Sequence, residues 1–414
     1  MRIAIVGSGV SGLVCAHLLS PRHDVVLCEA DARVGGHTHT RALTAADGRT
    51  AAVDTGFIVF NRRTYPQFLR LLDRLGVCAQ ESDMSFSARS EARDLEYNGR
   101  DLRALYVQPR NLLSLRFHRM VADVLRFYRE ARELLAEGPE VGLLEWLQAR
   151  GYSQGFVEDH LLPMVGAVWS SSREGAHRFP ARFLARFFEN HGFLQVDDRP
   201  PWLTVKGGSA TYVRAILDRF RGELRTAAPV TALRRSGDGP RLRVAGGAEE
   251  RFDHVILALH ADQALRLLSD PSPIERRLLA AFPYRRNEVR LHTDRAVMPR
   301  RPRAWASWNY HLDDAGQDGA CVTYWMNNLQ GIGGGTDWFV SLNQAGAVRP
   351  AAVLETLAYD HPVFTPESVA AQGLHGELIG HRATSYCGAY WRNGFHEDGV
   401  WSAVRVCEPL GASL

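Results

Sequence analysis

Alternating apolar and polar stretches at the start of the chain predict a strand, a turn, a helix and a second strand. Residues 2–6 form a short apolar run typical of a buried parallel strand. This run leads into the glycine-rich segment 7–12, after which residues 13–19 have a helical pattern. A second apolar run, residues 24–28, ends on Glu29. This order is typical of a dinucleotide-binding fold: a strand, a glycine-rich turn, a helix and a second strand that ends at an acidic residue.

Helical periodicity dominates the first half of the chain beyond this motif. A second glycine-rich turn at Arg33-Val34-Gly35-Gly36 is followed by a predicted strand over 51–55. Apolar residues at three- and four-residue spacing predict helices over 65–75, 111–136, 143–147, 156–164 and 183–190. We therefore expect residues 100–195 to form a helical layer.

Short strand-like segments dominate the second half of the chain. Strands are predicted over 230–233, 241–244, 252–258, 287–292, 303–310, 321–326 and 338–342, and helices over 263–268 and from about 400. Glycine-rich helix entries at both ends of the chain indicate a discontinuous nucleotide-binding domain of residues 1–85, 200–270 and 380–414. Residues 86–199 and 271–379 form the predicted substrate domain, a helical layer plus an antiparallel sheet. The predicted fold class is α/β, a Rossmann-type domain with a second, mixed helix and sheet domain.

Composition narrows the class of protein. The 414 residues exceed what one ordinary core accommodates, which favours two domains. A net charge of +3 gives no reason to expect a nucleic acid as partner. The six cysteines contain no Cys-x-x-Cys pair, which favours reduced thiols in a cytoplasm over disulfides or a metal site. No apolar run is long enough to span a membrane. The apolar segment at the start of the chain is interpreted as part of the fold and not as a signal peptide.

Each glycine of the first turn has a physical role in nucleotide binding. Gly7 permits the tight turn, and Gly9 lets the backbone approach a pyrophosphate. Gly12 lets the helix pack closely on the strand, so that its N-terminal N–H groups face the phosphates. Glu29 can accept hydrogen bonds from a ribose diol. The plainer alternative is a glycine-rich turn in an ordinary α/β protein.

Motifs along essentially the whole chain resemble a known family. The glycine-rich start, the Arg-x-Gly-Gly turn, the strand near residue 256 and the C-terminal helix entry resemble the flavin-dependent amine oxidase superfamily. That superfamily also holds phytoene desaturases, protoporphyrinogen oxidase and fatty-acid isomerases. The segments DTGFIVFNRRTYPQF, SDMSF, FFENHG, VKGGS, WASWNY, HPVF and CGAYWRNGFHEDG resemble more closely a bacterial subgroup of NAD/FAD-binding proteins linked to modification of phospholipid acyl chains.

This resemblance implies FAD as the cofactor and identifies the residues that contact it. They are Gly7, Ser8, Gly9, Val10, Ser11, Gly12, Glu29, Ala30, Arg33, Gly35, Gly36, His37, Thr55, Gly56, Phe57, Val230, Ala258, Gly388, Asp398, Gly399 and Val400. Among these, Arg33 is expected at the phosphates or ribose, and Val230 at the adenine. His37 departs from the family, since many relatives have a basic residue there. Because the chain has one nucleotide fingerprint, a dedicated NAD(P)H domain is not expected.

Candidate catalytic and substrate-binding residues lie in three segments. Lys206, the only lysine of the chain, precedes Gly207, and a turn role is its plainer interpretation. His396 and Glu397 precede the expected C-terminal helix, where either could act as a general acid or base or could belong to a surface loop. Aromatic residues on two predicted strands could line an apolar substrate channel or form core: Trp305, Trp308, Tyr324 and Trp325.

The preferred function is desaturation of a fatty-acyl chain of a membrane lipid by hydride transfer to the flavin. An amine oxidase and a redox-neutral fatty-acid isomerase are the alternative enzymes, and a flavin-binding accessory subunit of a lipid methyltransferase is the non-enzymatic one. Basic residues are frequent over 103–132, beside an apolar stripe. This pattern fits peripheral contact with an anionic membrane, and also an ordinary solvated helix face.

Overall fold

The structure, a computed structural model, describes residues 1–136, 140–170, 175, 179–197, 199–312, 320–344 and 346–414. Its strands are β1 (Arg2–Val6), β2 (Asp24–Cys28), β3 (Thr40–Thr44), β4 (Thr50–Asp54), β5 (Val59–Asn61), β6 (Ala79–Ser82), β7 (Phe86–Ser90), β8 (Leu95–Asn98), β9 (Trp202–Val205), β10 (Glu223–Arg225), β11 (Val230–Ser236), β12 (Gly239–Val244), β13 (Glu249–Arg251), β14 (His254–Leu257), β15 (Tyr284–His292), β16 (Trp308–His311), β17 (Val322–Trp325), β18 (Phe339–Leu342), β19 (Val353–Pro362) and β20 (Thr384–Tyr386). Its helices are α1 (Val10–Leu19), α2 (Pro66–Leu75), α3 (Leu102–Leu105), α4 (Leu115–Glu130), α5 (Leu143–Ala149), α6 (Gln154–Phe156), α7 (Leu162–Trp169), α8 (Ala181–Asn190), α9 (Ala210–Leu217), α10 (Ala261–Leu267), α11 (Pro273–Leu279), α12 (Met326–Gln330), α13 (Pro366–Gln372) and α14 (His396–Cys407).

A five-stranded parallel sheet combines segments from distant parts of the chain. Its order is β10–β2–β1–β14–β20. The central strand β1 pairs with β2 from Arg2 to Val6 and with β14 from Ile3 to Val6. The two apolar runs at the start of the chain are confirmed as strands with the predicted bounds. Helices cover such a sheet, which is why its strands are continuously apolar.

The second large sheet has seven strands in the order β19–β15–β18–β17–β16–β7–β8. All its pairings are antiparallel except that of β16 with β7. The longest pairing joins β15 to β19, from Tyr284 opposite Pro362 to His292 opposite Val353. Three of its strands correspond to the predicted segments 287–292, 321–326 and 338–342. Together the two sheets give the mixed α/β architecture that the sequence predicts.

The long predicted helix over 111–136 is wrong at both ends. A 3-10 turn occupies Pro109–Leu113, α4 begins only at Leu115, and a second 3-10 turn follows over Ala131–Leu135. The helix starts there because the Ser114 hydroxyl accepts a hydrogen bond from the Phe117 N–H at 3.3 Å. The predicted helix over 156–164 is also interrupted, by a π-helical turn at Val157–Leu161.

The predicted strand over 303–310 is wrong in its first half. Pro302–Ala304 forms a 3-10 turn, and β16 begins only at Trp308. The Asn309 side chain bonds both to the Ala306 N–H at 2.9 Å and to the Ala306 carbonyl at 2.6 Å. These bonds fold the preceding residues into a turn, so they cannot extend the ladder.

The C-terminal helix α14 connects the parallel sheet with the helices around it. It begins at His396, earlier than the predicted start near 400, and packs against α1 and α2. Ten of its twelve residues are buried. None of the helices in the described part of the chain is long and apolar enough to cross a membrane. The limits of the two domains stay a prediction.

Candidate active site

The glycine-rich turn lies at the edge of the parallel sheet where the strands end. Gly7 follows β1, Glu29 follows β2 and Ala258 follows β14. Open α/β sheets bind nucleotides at this edge. The Gly7 N–H donates to the Cys28 carbonyl at 2.8 Å, and Gly7 has a φ of +97°. A Cβ at this position would lie 2.4 Å from the Ala258 carbonyl oxygen, so only glycine fits.

Gly12 and Gly9 differ in what surrounds them. A Cβ on Gly12 would lie 1.9 Å from the Gly7 carbonyl oxygen, whereas a Cβ on Gly9 would meet nothing within 4 Å. Gly12 therefore serves packing between helix and strand, and Gly9 borders open space. That space lies at the N-terminus of α1, whose first turn carries no acidic residue. Free N–H groups facing an open cradle fit a pyrophosphate.

Glu29 is held directly beside this cradle. Its carboxylate accepts hydrogen bonds from the Ser8 N–H at 2.8 Å and the Asp31 N–H at 3.0 Å, and from the Ser8 hydroxyl. These bonds fix its position at the end of β2, where a ribose diol is expected in this kind of fold. Ala30 follows and is exposed, while Val230 is half-buried at the start of β11. The cradle, the acid and these neighbours fit the adenosine half of FAD.

Arg33 has a structural position that the sequence interpretation did not anticipate. Its guanidinium donates to the Thr38 carbonyl at 2.8 Å and to the Gly36 carbonyl at 2.7 Å. The side chain therefore braces its own turn, where the resemblance implied a contact with phosphate or ribose. Gly36 also lies against Gly9, since a Cβ on Gly36 would be 3.1 Å from the Gly9 Cα. The Gly35 N–H joins the two turns by donating to the Ser8 carbonyl at 3.1 Å.

The segment Thr55-Gly56-Phe57 lies against the second turn. The Phe57 N–H donates to the His37 carbonyl at 3.0 Å, and a Cβ on Gly56 would lie 2.1 Å from that carbonyl oxygen. The Thr55 hydroxyl lies 2.9 Å from the Tyr359 hydroxyl on β19. Residues predicted to contact the cofactor from separate segments are thus brought together, next to the seven-stranded sheet.

The N-terminus of α14 meets the N-terminus of α1. The Ser11 hydroxyl donates to the Gly399 carbonyl at 3.0 Å, and a Cβ on Gly399 would lie 2.5 Å from the Val10 side chain. The Asp398 carboxylate accepts a bond from the Phe395 N–H at 2.9 Å and so caps its own helix. Burial raises the pKa of Asp398 to about 6. Val400 is buried in the same helix, and Gly388 is tied to it because its N–H donates to the Ser402 hydroxyl at 2.9 Å.

Glu397 caps a neighbouring helix. Its carboxylate accepts bonds from the Phe68 N–H at 2.9 Å and the Gln67 N–H at 3.1 Å, at the start of α2. Burial raises its pKa to about 7. A carboxylate that satisfies two helix N–H groups is already engaged, so this geometry favours a structural role over that of a base.

His396 is the buried member of the predicted catalytic set. Its ring stacks on Phe57 with a centroid distance of 3.5 Å. Its Nε2 lies 3.0 Å from the Thr38 hydroxyl and 3.1 Å from the Tyr212 hydroxyl. Burial lowers its pKa to about 3, so the ring is uncharged at neutral pH.

Lys206 does not join His396 and Glu397. It is exposed on the turn after β9, where its backbone N–H donates to the Cys78 carbonyl at 3.0 Å. The neighbouring Gly208 packs on Thr40, since its Cβ would lie 2.4 Å from the Thr40 side chain. The position supports the turn role, the plainer of the two interpretations.

Three half-buried histidines lie close together here: the predicted cofactor residue His37 and two others, His260 and His361. The His37 ring lies 5.3 Å from the His361 ring and 6.3 Å from the His260 ring, and it stacks on Tyr359 at 4.8 Å. Burial lowers the pKa of all three, that of His361 to about 4. Asn287 fixes the His361 ring by donating to its Nδ1 at 3.0 Å. Tyr359 and His361 were not predicted as site residues, because no strand was predicted over β19.

The four predicted substrate-channel residues form two separate pairs. Trp308 and Tyr324 face each other across β16 and β17 with ring centroids 5.0 Å apart. Trp305 and Trp325 are paired at 5.3 Å, and their indole N–H groups bond elsewhere, to the Pro299 carbonyl and to Asp337. Because Tyr324 and Trp325 are adjacent in one strand, the two pairs lie on opposite faces of the sheet. A single channel cannot include all four.

A cluster of aromatic rings connects the helical layer to the start of α14. Phe395 stacks on Phe187 of α8 at 5.1 Å, and Phe183 stacks on Phe364 at 4.9 Å. The Trp169 indole donates to the Asn393 carbonyl at 3.1 Å. Beside this cluster lies a cavity of about 260 Å³ that reaches Phe395, Glu397 and Asp398.

One protein-family model matches most of this chain. A family model described as flavin-containing amine oxidoreductase matches residues 10–334, more than half of the 414. No curated protein matches at the sequence level.

Solved structures share the fold over nearly the whole chain. A CLA-producing fatty-acid isomerase from P. acnes is 15% identical with a TM-score of 0.70, covering 99% of this chain and 98% of that one. Cyclohexylamine oxidase from Brevibacterium oxydans IH-35A is 17% identical with a TM-score of 0.67, covering 99% of both chains. At these identities the likeness shows the fold alone, and it confirms the predicted fold class.

Proposed function

This chain belongs to the flavin-containing amine oxidoreductase family, and we propose that within it the chain desaturates fatty-acyl chains of membrane lipids. Membership makes it an FAD-dependent oxidoreductase. The desaturase assignment goes further, and it rests on the charge state of the candidate site together with the motifs shared with acyl-lipid-modifying proteins.

The residues that would hold FAD follow from the fit of the cradle. The open space at Gly9 and the N-terminus of α1 would take the pyrophosphate, and Glu29 would take the ribose. When bound, FAD supplies an acceptor for a hydride. The chain has to orient the substrate, exclude water and remove a proton.

The observation that carries the proposal is the neutrality of the titratable rings around the predicted flavin contacts. Burial lowers the pKa of His37, His361 and His396, so all three are uncharged at neutral pH. Their neighbours Phe57 and Tyr359 are buried and carry no charge. These rings form an uncharged part of the site, which favours a substrate without charge at the reacting carbon, as in the middle of an acyl chain.

His396 is our candidate for the proton acceptor. Lys206 is exposed and Glu397 is engaged as a helix cap. The His396 Nε2 adjoins the hydroxyl groups of Thr38 and Tyr212, which also lie within hydrogen-bond distance of each other. Because burial lowers the pKa of the ring to about 3, a proton that it accepts has to be passed on at once. These hydroxyl groups could pass a proton onward.

Amine oxidation is the second candidate, and one observation favours it. The cavity of about 260 Å³ beside α14 is bordered by Glu397 and Asp398, whose carboxylates could attract a cationic amine, although Arg63 and Arg392 border it too. Both acids already cap helices, which weakens this attraction. The fold is shared with a cyclohexylamine oxidase as well as with a fatty-acid isomerase, so it favours neither candidate.

The test is an anaerobic absorbance series on the flavin-loaded protein with phospholipids bearing unsaturated or mid-chain methylated acyl groups. We expect loss of the oxidised flavin band, and mass analysis of the lipid should find two hydrogens fewer. Bleaching by amines alone would replace the proposal with amine oxidation. An unchanged spectrum with a shifted double bond would indicate an isomerase, and no change with any lipid or amine would favour the accessory subunit.

A matched pair of variants tests the role of His396. We expect His396→Gln to retain flavin and to slow its reduction by lipid at least about 100-fold, the size of a general acid–base contribution. His254→Gln is the control, because His254 is also buried and bonded to a hydroxyl, that of Ser385, but belongs to the parallel sheet. Equal reduction rates in the two variants would remove His396 from the mechanism.

A further inference from the structure

The helical layer exposes leucines to an unusual degree. The three most exposed large apolar side chains of the described residues lie within one segment, Leu113 at 89%, Leu115 at 86% and Leu102 at 74%. Leu112 of the same segment is 55% exposed. We call these four residues the leucine surface. The end of α3 lies beside the start of α4, because the Tyr106 ring contacts the rings of Phe117 and His118. Single exposed leucines are ordinary, but four on two adjacent helix ends indicate a surface that something covers.

Buried polar contacts hold the leucine surface in place from behind. Asn111 is buried, and its side chain donates to the Glu96 carbonyl at 3.3 Å. Gln108 is buried as well and accepts a bond from the Glu96 N–H at 2.9 Å. His118 lies 2.9 Å from the Leu112 carbonyl oxygen through its Nε2. The turn that carries the leucines is therefore anchored, and its apolar side chains cannot simply fold inward.

Positive charge predominates around the leucine surface. Arg103 and Arg119 are exposed, and within the described part of the chain neither forms an ion pair. Asp94 and Asp159 are paired with arginines, which leaves Asp101, the cap of α3, as the unpaired acid beside Leu102. Exposed leucines flanked by unpaired arginines match the interface of an anionic bilayer, where leucine enters the acyl boundary and arginine meets the headgroups.

We propose that the leucine surface, with Arg103 and Arg119, docks this protein peripherally on an anionic membrane. The occupant is the headgroup and upper acyl region of a lipid bilayer. Docking there would place the helical layer, and the aromatic cluster behind it, on the membrane side. The inference does not rest on the proposed desaturase activity, since it follows from exposure and charge alone.

The test is co-sedimentation of the flavin-loaded protein with lipid vesicles. One set contains phosphatidylcholine alone and the other an equal mixture with phosphatidylglycerol. We expect the protein to partition onto the anionic vesicles and the Leu113→Ser/Leu115→Ser variant to partition at least about tenfold less. Leu354→Ser is the control, because Leu354 is 50% exposed but lies on β19.

A second variant tests the electrostatic part. Arg103→Gln/Arg119→Gln should reduce partitioning onto the anionic vesicles about tenfold and leave partitioning onto phosphatidylcholine unchanged. Arg276→Gln/Arg277→Gln on α11 is the control, since both arginines are exposed there. All variants should keep the circular dichroism and flavin content of the parent protein.

Three outcomes would overturn the proposal. The parent protein could fail to sediment with either vesicle, or the leucine variant could bind as the Leu354→Ser control does. A leucine variant that changes the particle mass without vesicles would instead identify the leucine surface as an interface with a second copy of the chain. Flavin reduction by phospholipid in detergent micelles separates docking from chemistry, because the variants should react there as the parent does.

Discussion

The N-termini of α1 and α14 touch each other, yet their first turns are built in opposite ways. The first turn of α1 has no acidic side chain and borders open space at Gly9. The first turn of α14 contains Glu397 and Asp398, which cap α2 and α14 itself. A helix N-terminus attracts an external anion, and acidic side chains in the first turn oppose that attraction. The two similar helix ends therefore differ in what they can bind: α1 is open to a phosphate group, whereas α14 presents two carboxyl groups there.

The largest effect on stability is expected from disturbing the contact between α1 and the turn at Gly7. In Gly12→Ala the new methyl group would lie 1.9 Å from the Gly7 carbonyl oxygen, and the backbone has to move. We expect a loss of about 3 kcal/mol or more in the free energy of unfolding, with no flavin retained. Chemical denaturation measures the first quantity and absorbance of the purified protein the second. Gly237→Ala is the control, because a Cβ there meets nothing within 4 Å.

Gly9→Ala should separate cofactor binding from folding. Its methyl group enters space that is empty within 4 Å, so the flavin-free protein should unfold at an unchanged denaturant midpoint. The same methyl group occupies the approach to the pyrophosphate, and we expect FAD affinity to fall about tenfold or more, which is about 1.4 kcal/mol. A titration of the flavin-free protein with FAD measures this. Undiminished affinity would contradict the assignment of the cradle.

The acids of α14 should make the free energy of unfolding depend on pH, whereas the first turn of α1 has no acid that would do so. Burial raises the pKa of Glu397 to about 7, so the folded protein binds this proton more tightly than the unfolded chain does. Stability from this group should then fall as the pH rises from about 4.5 to about 7, by on the order of 2 kcal/mol. Glu397→Gln should flatten that slope, as measured by denaturation at several pH values. A slope identical to that of the parent would contradict the raised pKa.

The smallest effect is expected where the two helices are joined. Ser11→Ala removes the bond between the Ser11 hydroxyl and the Gly399 carbonyl, which should cost about 1 kcal/mol of stability. FAD affinity should stay within about twofold, because the Ser11 hydroxyl is already bonded to Gly399 and alanine adds no atom to the cradle. Ser236→Ala, at an exposed serine whose hydroxyl bonds only within its own turn, should leave stability nearly unchanged. A Ser11→Ala protein that loses its flavin would show that the two helix ends bind it jointly.

The sequence predicted best those parts of the fold and the site that depend only on neighbouring residues. Strands β1 and β2 and the turn at Gly7 were predicted in place, because a buried parallel strand is a continuous apolar run ending at glycine or acid. The break before β16 was not predicted, since it depends on the Asn309 side chain folding back on Ala306. The role of Glu397 could not be predicted either, because it caps a helix more than 300 positions away.

The histidines around His37 show what a local interpretation misses. His361 and Tyr359 lie on β19, in whose first six residues half-buried and exposed positions alternate. That alternation is the available signal for an edge strand with one face covered. Which side chains then meet His37 depends on the pairing of β19 with β15, and pairing partners are set by the whole fold.

The order of strands in the parallel sheet also has a consequence for biosynthesis. Strand β14 pairs with β1 on one side and with β20 on the other, so neighbours in space are separated by about 250 and about 130 residues along the chain. Such non-local pairing makes folding slow, and β20 leaves the ribosome about 130 residues after β14. Until then β14 has an unpaired edge, and the nascent protein depends on protection from aggregation. The nucleotide cradle can therefore mature only after β14 and β20 are made, long after its own glycines.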